Sequence, residues 1–175
     1  MLLAQTEEVR RLFTTDKATR DAFGGPPHTS DLHAEMENTI RYNAGMIDVS
    51  RQRIRLGQVM TDTSGAVIGY MSVSLVQNAL PTSHERVYVW GKKPPPLVSG
   101  VFVRKLVVKC GERGAGYGAI LFAEAKYLAR ELGLYLFCDT LATNMGMRSF
   151  LRDEGCTTNI FWLTQKKTVM VRYIL

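Results

Sequence analysis

The residues best suited to chemistry lie between Leu106 and Gly118, in the run Leu106-Val107-Val108-Lys109-Cys110-Gly111-Glu112-Arg113-Gly114-Ala115-Gly116-Tyr117-Gly118. The apolar stretch that ends at Val108 reads as a strand, and the pattern from Tyr117 onward reads as a helix. The glycines therefore fall where a strand passes straight into a helix N-terminus. Such a turn aims unpaired backbone N–H groups and the positive end of the helix dipole at one point. Gly114, Gly116 and Gly118 let the main chain approach a ligand that side chains would block. A diphosphate suits that geometry, and Arg113 offers a matching charge. Other phosphate loops fit worse. No Gly-Lys-Ser/Thr is present, as a Walker loop requires, and the glycines are spaced GxGxG, or GxxGxG counted from Gly111, rather than GxGxxG.

Elsewhere the chemistry is sparse. Cys110, Cys138 and Cys156 are scattered without a CxxC, which predicts reduced thiols in a cytoplasmic protein, packed as core fillers. Three histidines without paired spacing predict no metal site. His84 and Glu85 are the one adjacent histidine and acid, with Tyr88, Trp90 and the Lys92-Lys93 pair close by. A histidine beside a carboxylate can accept a proton, so these two are catalytic candidates. Solvated loop residues with no role are the plainer alternative.

The elements that must position these residues can be read from periodicity. A helix is expected over 6–23, with Val9, Leu12 and Phe13 on one face, closed by Gly24-Gly25-Pro26-Pro27. A second helix is expected from a Ser30 or Asp31 cap through Leu32, Met36 and Ile40. Alternation over 53–60 and 67–73 around Asp62-Thr63-Ser64-Gly65 signals a β-hairpin. Residues 78–97 are irregular and proline-containing, and a loop of this length inside a compact domain is often functional. Then follow a strand from Val98 to Val108, a helix over 117–132, a strand from Leu134 to Cys138, a helix over 145–154, and strands over 158–164 and 168–174. This order predicts an α/β fold around one mixed sheet, in one domain spanning 1–175.

Bulk properties agree with a globular protein. The chain has 175 residues, 46% hydrophobic and 22% charged, so it can bury a full core. No window approaches the ~18 apolar residues of a spanning helix, so no membrane partner is expected. The first residues turn acidic at once, at Glu7 and Glu8, unlike a secretory leader. The net charge of +6 is uneven: residues 1–48 hold five Lys/Arg against eight Asp/Glu, and 49–175 hold seventeen against eight. A basic body favours a polyanion, and a nucleotide-bearing cofactor and RNA both qualify.

The turn and its flanks resemble the GNAT superfamily of acyl-CoA-dependent N-acyltransferases. That family's pyrophosphate signature is Gln/Arg-x-x-Gly-x-Gly/Ala after a strand of the type Leu-x-Val. Arg113 to Gly118 meets it at each defined position, after Leu106-Val107-Val108 at the expected distance. Asn144, Met147, Phe150-Leu151 and Gly155-Cys156 fall at the family's downstream spacing. The resemblance covers about residues 52–175. It implies the GNAT fold, a central, mostly antiparallel twisted sheet flanked by helices, and acetyl-CoA or another acyl-CoA as co-substrate. It further implies that backbone groups of Leu106, Val107 and Val108 hold the pantetheine arm. Amides of Arg113, Gly114, Ala115, Gly116, Tyr117 and Gly118 would take the pyrophosphate, with Asn144 alongside the cofactor. The implied reaction is direct attack of a primary amine, on a small molecule or a protein, on the thioester.

Two positions depart from the family. Leu151 stands where many members carry a tyrosine acid, and Phe102 stands where some carry a glutamate base. The irregular 78–97 stretch is similar to that of GNAT-type toxins that acetylate aminoacyl-tRNA. Lys92, Lys93, Arg104 and Lys105 could then track phosphates, although those toxins rely on the missing tyrosine. A non-catalytic acyl-CoA-binding or interaction module is the third alternative. Neither the acceptor nor the oligomeric state is specified, and a homodimer is admitted.

Overall fold

The computed structural model describes residues 2–47, 53–80, 97–163 and 169–175. Helices α1 (Leu2–Leu12), α2 (Lys17–Phe23) and α3 (Thr29–Asn43) come first, followed by strands β1 (Arg53–Thr61), β2 (Val67–Ala79) and β3 (Val98–Val108). Helix α4 (Tyr117–Glu131), strand β4 (Leu136–Leu141), helix α5 (Met145–Asp153) and strands β5 (Thr157–Leu163) and β6 (Val169–Ile174) complete the chain. The six strands form one sheet in the order β1-β2-β3-β4-β6-β5. Each pairing is antiparallel except that of β3 with β4.

The helix expected over 6–23 is two helices. The hydroxyls of Thr14 and Thr15 fold back onto the carbonyls of Arg11 and Leu12 (2.9 and 2.7 Å), which ends α1. Asp16 then starts α2, its Oδ1 accepting from the Thr19 amide at 2.9 Å. Helix α3 begins at Thr29, with His28 in the cap position and no side-chain cap bond, rather than at Ser30 or Asp31. Strand β2 runs to Ala79, six residues past the expected end, and β4 lies at 136–141 instead of 134–138.

Both faces of the sheet are covered. On one, Leu121, Phe122, Ala125 and Ala129 of α4 join Met71, Val73, Leu75, Val101 and Val103 in the main core, with Cys138, Leu151 and Cys156. On the other, Val9, Leu12 and Phe13 pack with Leu32 and Met36 against Val67, Tyr70 and Val107. Burial on two sides explains why the first ten residues of β2 are all buried. Beside the second core lies a polar knot. Glu35 of α3, 2% exposed, accepts from the Tyr70 hydroxyl at 2.6 Å and from Lys105 Nζ at 2.9 Å on each oxygen. Gly57 permits this approach, because a Cβ there would meet the Tyr70 hydroxyl and the Glu35 side chain.

Burial, with the Glu35 charge beside it, pushes the Tyr70 phenol well above its ordinary 10.0. Burial, with Asp139 and Cys156 adding to it, pushes the Cys138 thiol well above 9.0. The folded chain keeps both protons at a pH where the unfolded chain sheds them. The associated stability is therefore fully present below about pH 9 and lost as pH rises through 9–10 and beyond. Denaturant midpoints measured at pH 7.5 and pH 10.5 are expected to be lower at the higher pH. Equal midpoints would contradict this account.

Candidate active site

The site arises from where β3 and β4 part. They pair over three rungs, Val101–Val103 against Leu136–Cys138, and no further. At the same point β3 carries an irregularity against β2: Val73 faces Val103 and Ser72 faces Lys105, so Arg104 lies opposite no residue of β2 or β4. A bulge bends its strand and sharpens the local twist, which turns the rest of β3 away from β4. Residues 104–108 keep an edge toward β4 that β4 does not meet.

A cleft of about 870 Å³ opens along this fork. Leu106, Val107 and Val108 form one lip, and Leu141, Asn144, Met147 and Phe150 form the other. The glycine-rich turn closes one end through Arg113, Gly114, Gly116 and Gly118. Ala115 and Tyr117 belong to the turn but are not among the residues lining the cleft. Helix α2 lies across as a further wall, through Ala18, Thr19, Ala22 and Phe23.

Local chemistry shapes the turn. After Val108 the chain makes a 3-10 turn over Cys110–Glu112. Gly114 (φ 85°) and Gly116 (φ 87°) then hold the left-handed backbone that favours glycine. Gly116 occupies the N-cap of α4 without a side-chain cap, and the first return bond runs from Ile120 N–H to the Gly116 carbonyl at 3.1 Å. Among the described residues, none accepts from the amides of 114–119. No atom comes within 4 Å of a Cβ built at Gly114 or Gly116. Unpaired donors beside open space fit the phosphates of an acyl-CoA.

Arg113 lines the cleft and reaches across to the start of α2. Its Nη2 donates to Asp16 Oδ2 at 2.7 Å and Thr19 Oγ at 2.6 Å, and its Nε donates to the Val108 carbonyl at 3.2 Å. Asn144 caps α5, its Oδ1 accepting from Met147 N–H at 3.1 Å, and it lines the cleft.

A second cleft of about 390 Å³ adjoins the first and shares Ala22, Phe23, Leu106, Leu141, Asn144 and Met147 with it. Phe102 and Phe137 stack at its base, with centroids 4.8 Å apart. Asp139 is the one carboxylate among its described lining residues. It stands on β4 immediately past the last rung shared with β3, across the fork from Arg104. Arg172 grips it with two bonds, Nε to Oδ1 at 2.7 Å and Nη2 to Oδ2 at 2.6 Å. The guanidinium is 3% exposed and its carbon lies 5.7 Å from the centroids of both Phe102 and Phe137. The sequence reading missed Asp139 because it ended that strand at Cys138. The signal was present, since Phe137, Asp139 and Leu141 alternate with Cys138 and Thr140.

Leu151 is fully buried in the main core and Phe102 is stacked, so neither expected position offers a titratable group. Lys105 turns inward to Glu35 and does not track an external polyanion. His84, Glu85, Lys92 and Lys93 lie outside the described residues. Among the described residues, no helix is long and apolar enough to cross a membrane.

No protein-family model matches the sequence, and no curated protein does. The fold answers where the sequence does not. A mostly antiparallel sheet that forks between two parallel strands, with a glycine turn and helix at the fork, is the GNAT fold, and this chain has it. It superimposes on a Desulfovibrio desulfuricans protein assigned to the GNAT acetyltransferases with a TM-score of 0.65, at 16% identity over 98% of this chain and 92% of that one. A ribosomal-protein-alanine N-acetyltransferase from Brucella melitensis gives 0.62, at 19% identity over 99% and 93%. A Bacillus anthracis structure described as a streptothricin acetyltransferase in complex with acetyl coenzyme A gives 0.52, at 15% identity over 73% and 64%.

Proposed function

We propose that the protein is an acyl-CoA-dependent N-acyltransferase, one domain over 1–175, that takes acyl-CoA in the larger cleft and a primary amine in the smaller. One observation carries this reading: the unmet edge of β3 and the unpaired amides of 114–119 open into the same cleft. The main chain of Leu106, Val107 and Val108 would hold an extended pantetheine arm as a neighbouring strand would. The amides of the glycine turn would receive the diphosphate, and Asn144 would flank the arm. Acyl-CoA supplies an activated thioester carbonyl, and a main-chain N–H beside the bulge at Arg104 is the candidate donor to its oxygen. Attack by the amine then needs a proton acceptor. Asp139 is the described carboxylate nearest the fork, and Arg172 fixes its orientation. His84 and Glu85 stay candidates for the same duty. A thiolate leaves without help at modest cost, since a thiol's reference pKa is about 8.5, so a buried Leu151 is compatible with turnover.

Calorimetry of the protein with acetyl-CoA and CoA tests the first half, and saturable binding is expected. Release of CoA in the presence of small amines, peptides and charged tRNA tests the second half and sorts the acceptors. Binding without turnover on any acceptor class would leave an acyl-CoA-binding module. Failure to bind either nucleotide would overturn the reading.

A further inference from the structure

We propose that Asp16 and Thr19 are positioning residues of the acyl-CoA site. They hold the Arg113 guanidinium in place for the diphosphate. The proposal rests on the reading of the larger cleft as an acyl-CoA site.

The guanidinium has five N–H donors in a rigid fork. Two of its nitrogens are pinned, Nη2 by Asp16 and Thr19 and Nε by the Val108 carbonyl. Among the described residues, nothing accepts from Nη1. Arg113 lines the cleft beside the unpaired amides of the turn, so a cation already oriented by three bonds borders the diphosphate position. Stability does not explain the arrangement. The Arg113 and Asp16 side chains are 42% and 21% exposed, and ion pairs that open to water contribute little. Helix capping does not explain it either. Asp16 caps α2 through Oδ1, a task that Asn or Ser performs as well. What the carboxylate adds is Oδ2, which accepts from the Thr19 hydroxyl at 2.8 Å and from Arg113 at 2.7 Å. The Thr19 amide and hydroxyl, and then Arg113, hold the Asp16 carboxyl below its ordinary range, so it is charged at neutral pH.

Helix α2 has few other attachments. Thr19 is its buried residue, and Phe23 makes an edge contact with the Phe13 ring at 5.0 Å. Yet Ala22 and Phe23 line both clefts.

Asp16→Asn separates the roles, because asparagine keeps the cap and removes the charge. CoA and acetyl-pantetheine, which lacks the diphosphate, are titrated by calorimetry or by competition. The variant is expected to bind CoA about fivefold or more weakly and acetyl-pantetheine as the parent does. Arg113→Gln should cost at least as much toward CoA, and the double variant no more than Arg113→Gln alone, since the residues act as one unit. Thr19→Val provides a second variant with the same expected pattern. Unchanged CoA affinity, an equal loss for both ligands, or additive losses would each overturn the proposal. A parent that fails to bind CoA overturns the functional reading and this inference together. A parent that binds, with Asp16→Asn unchanged, overturns the inference alone.

Discussion

Gly118→Val is expected to weaken CoA binding by more than about tenfold, a loss of ~1.4 kcal/mol or more, while the melting temperature moves by little. Gly118 lies in the first turn of α4 with ordinary helical φ, and valine is better tolerated than glycine within a helix. A Cβ there meets the Phe150 ring at 3.7 Å and Val108 Cγ2 at 3.9 Å, both ordinary contacts. The fold therefore has room for the added Cβ, and the thermal melt reads whether the γ-methyls fit as well. In the cleft, which Gly118 lines, those methyls would crowd a ligand held by the amides of the turn. Gly116→Val would block the same space. Its φ of 87° would strain any L-residue by ~1–2 kcal/mol, so the binding loss would be mixed with an unfolding effect. Titration calorimetry on Gly118→Val, with a thermal melt alongside, separates the two. Parental affinity in a folded variant would remove the turn from CoA binding.

Glu35→Ala is expected to destabilise the protein by about 3–5 kcal/mol, the usual result of removing one partner from a buried ion pair. The carboxylate side chain is 3% exposed and that of Lys105 is 19% exposed, so the stranded ammonium finds little water. The Tyr70 hydroxyl loses its acceptor as well. For a chain of this size the loss corresponds to a fall in melting temperature on the order of 10 °C. Replacing both partners by apolar residues, Glu35→Leu with Lys105→Met, should recover part of it, because the unpaired charge and not the lost attraction dominates. A single variant as stable as the parent would show that α3 is held by its apolar face alone.

Local patterns made most of this structure readable from the sequence. The strand, glycine turn and helix from Val98 to about 131 fell where periodicity put them, because that stretch obeys alternation, left-handed glycines and a 3.6-residue repeat in turn. The break between α1 and α2 was missed. It depends on Thr14 and Thr15 bonding backward and Asp16 bonding forward, a choice that side chains make against an otherwise continuous helical face. The anchoring of Arg113 was missed for a different reason. Its partner Asp16 lies ninety-seven residues away, and sequence spacing carries no information about that meeting. The same holds for Asp139 with Arg172 and Glu35 with Lys105. Each pair joins elements far apart in sequence whose adjacency follows from the tertiary arrangement, which the local pattern leaves undetermined.

The fork also bears on how the molecule assembles. Strands β1, β2 and β3 form a meander of antiparallel neighbours, and β4, β6 and β5 form a second group. The two groups share three parallel rungs. Parallel pairing between distant segments closes a long loop before any contact repays it, so it forms slowly. The seam between the groups is where the sheet is most sparsely paired. The larger cleft draws its walls from both groups, with Leu106 and Val108 on one side and Leu141 on the other. A ligand lying in it would act as a bolt across the seam, and its occupancy would lengthen the lifetime of the folded chain as well as deepen its free-energy well.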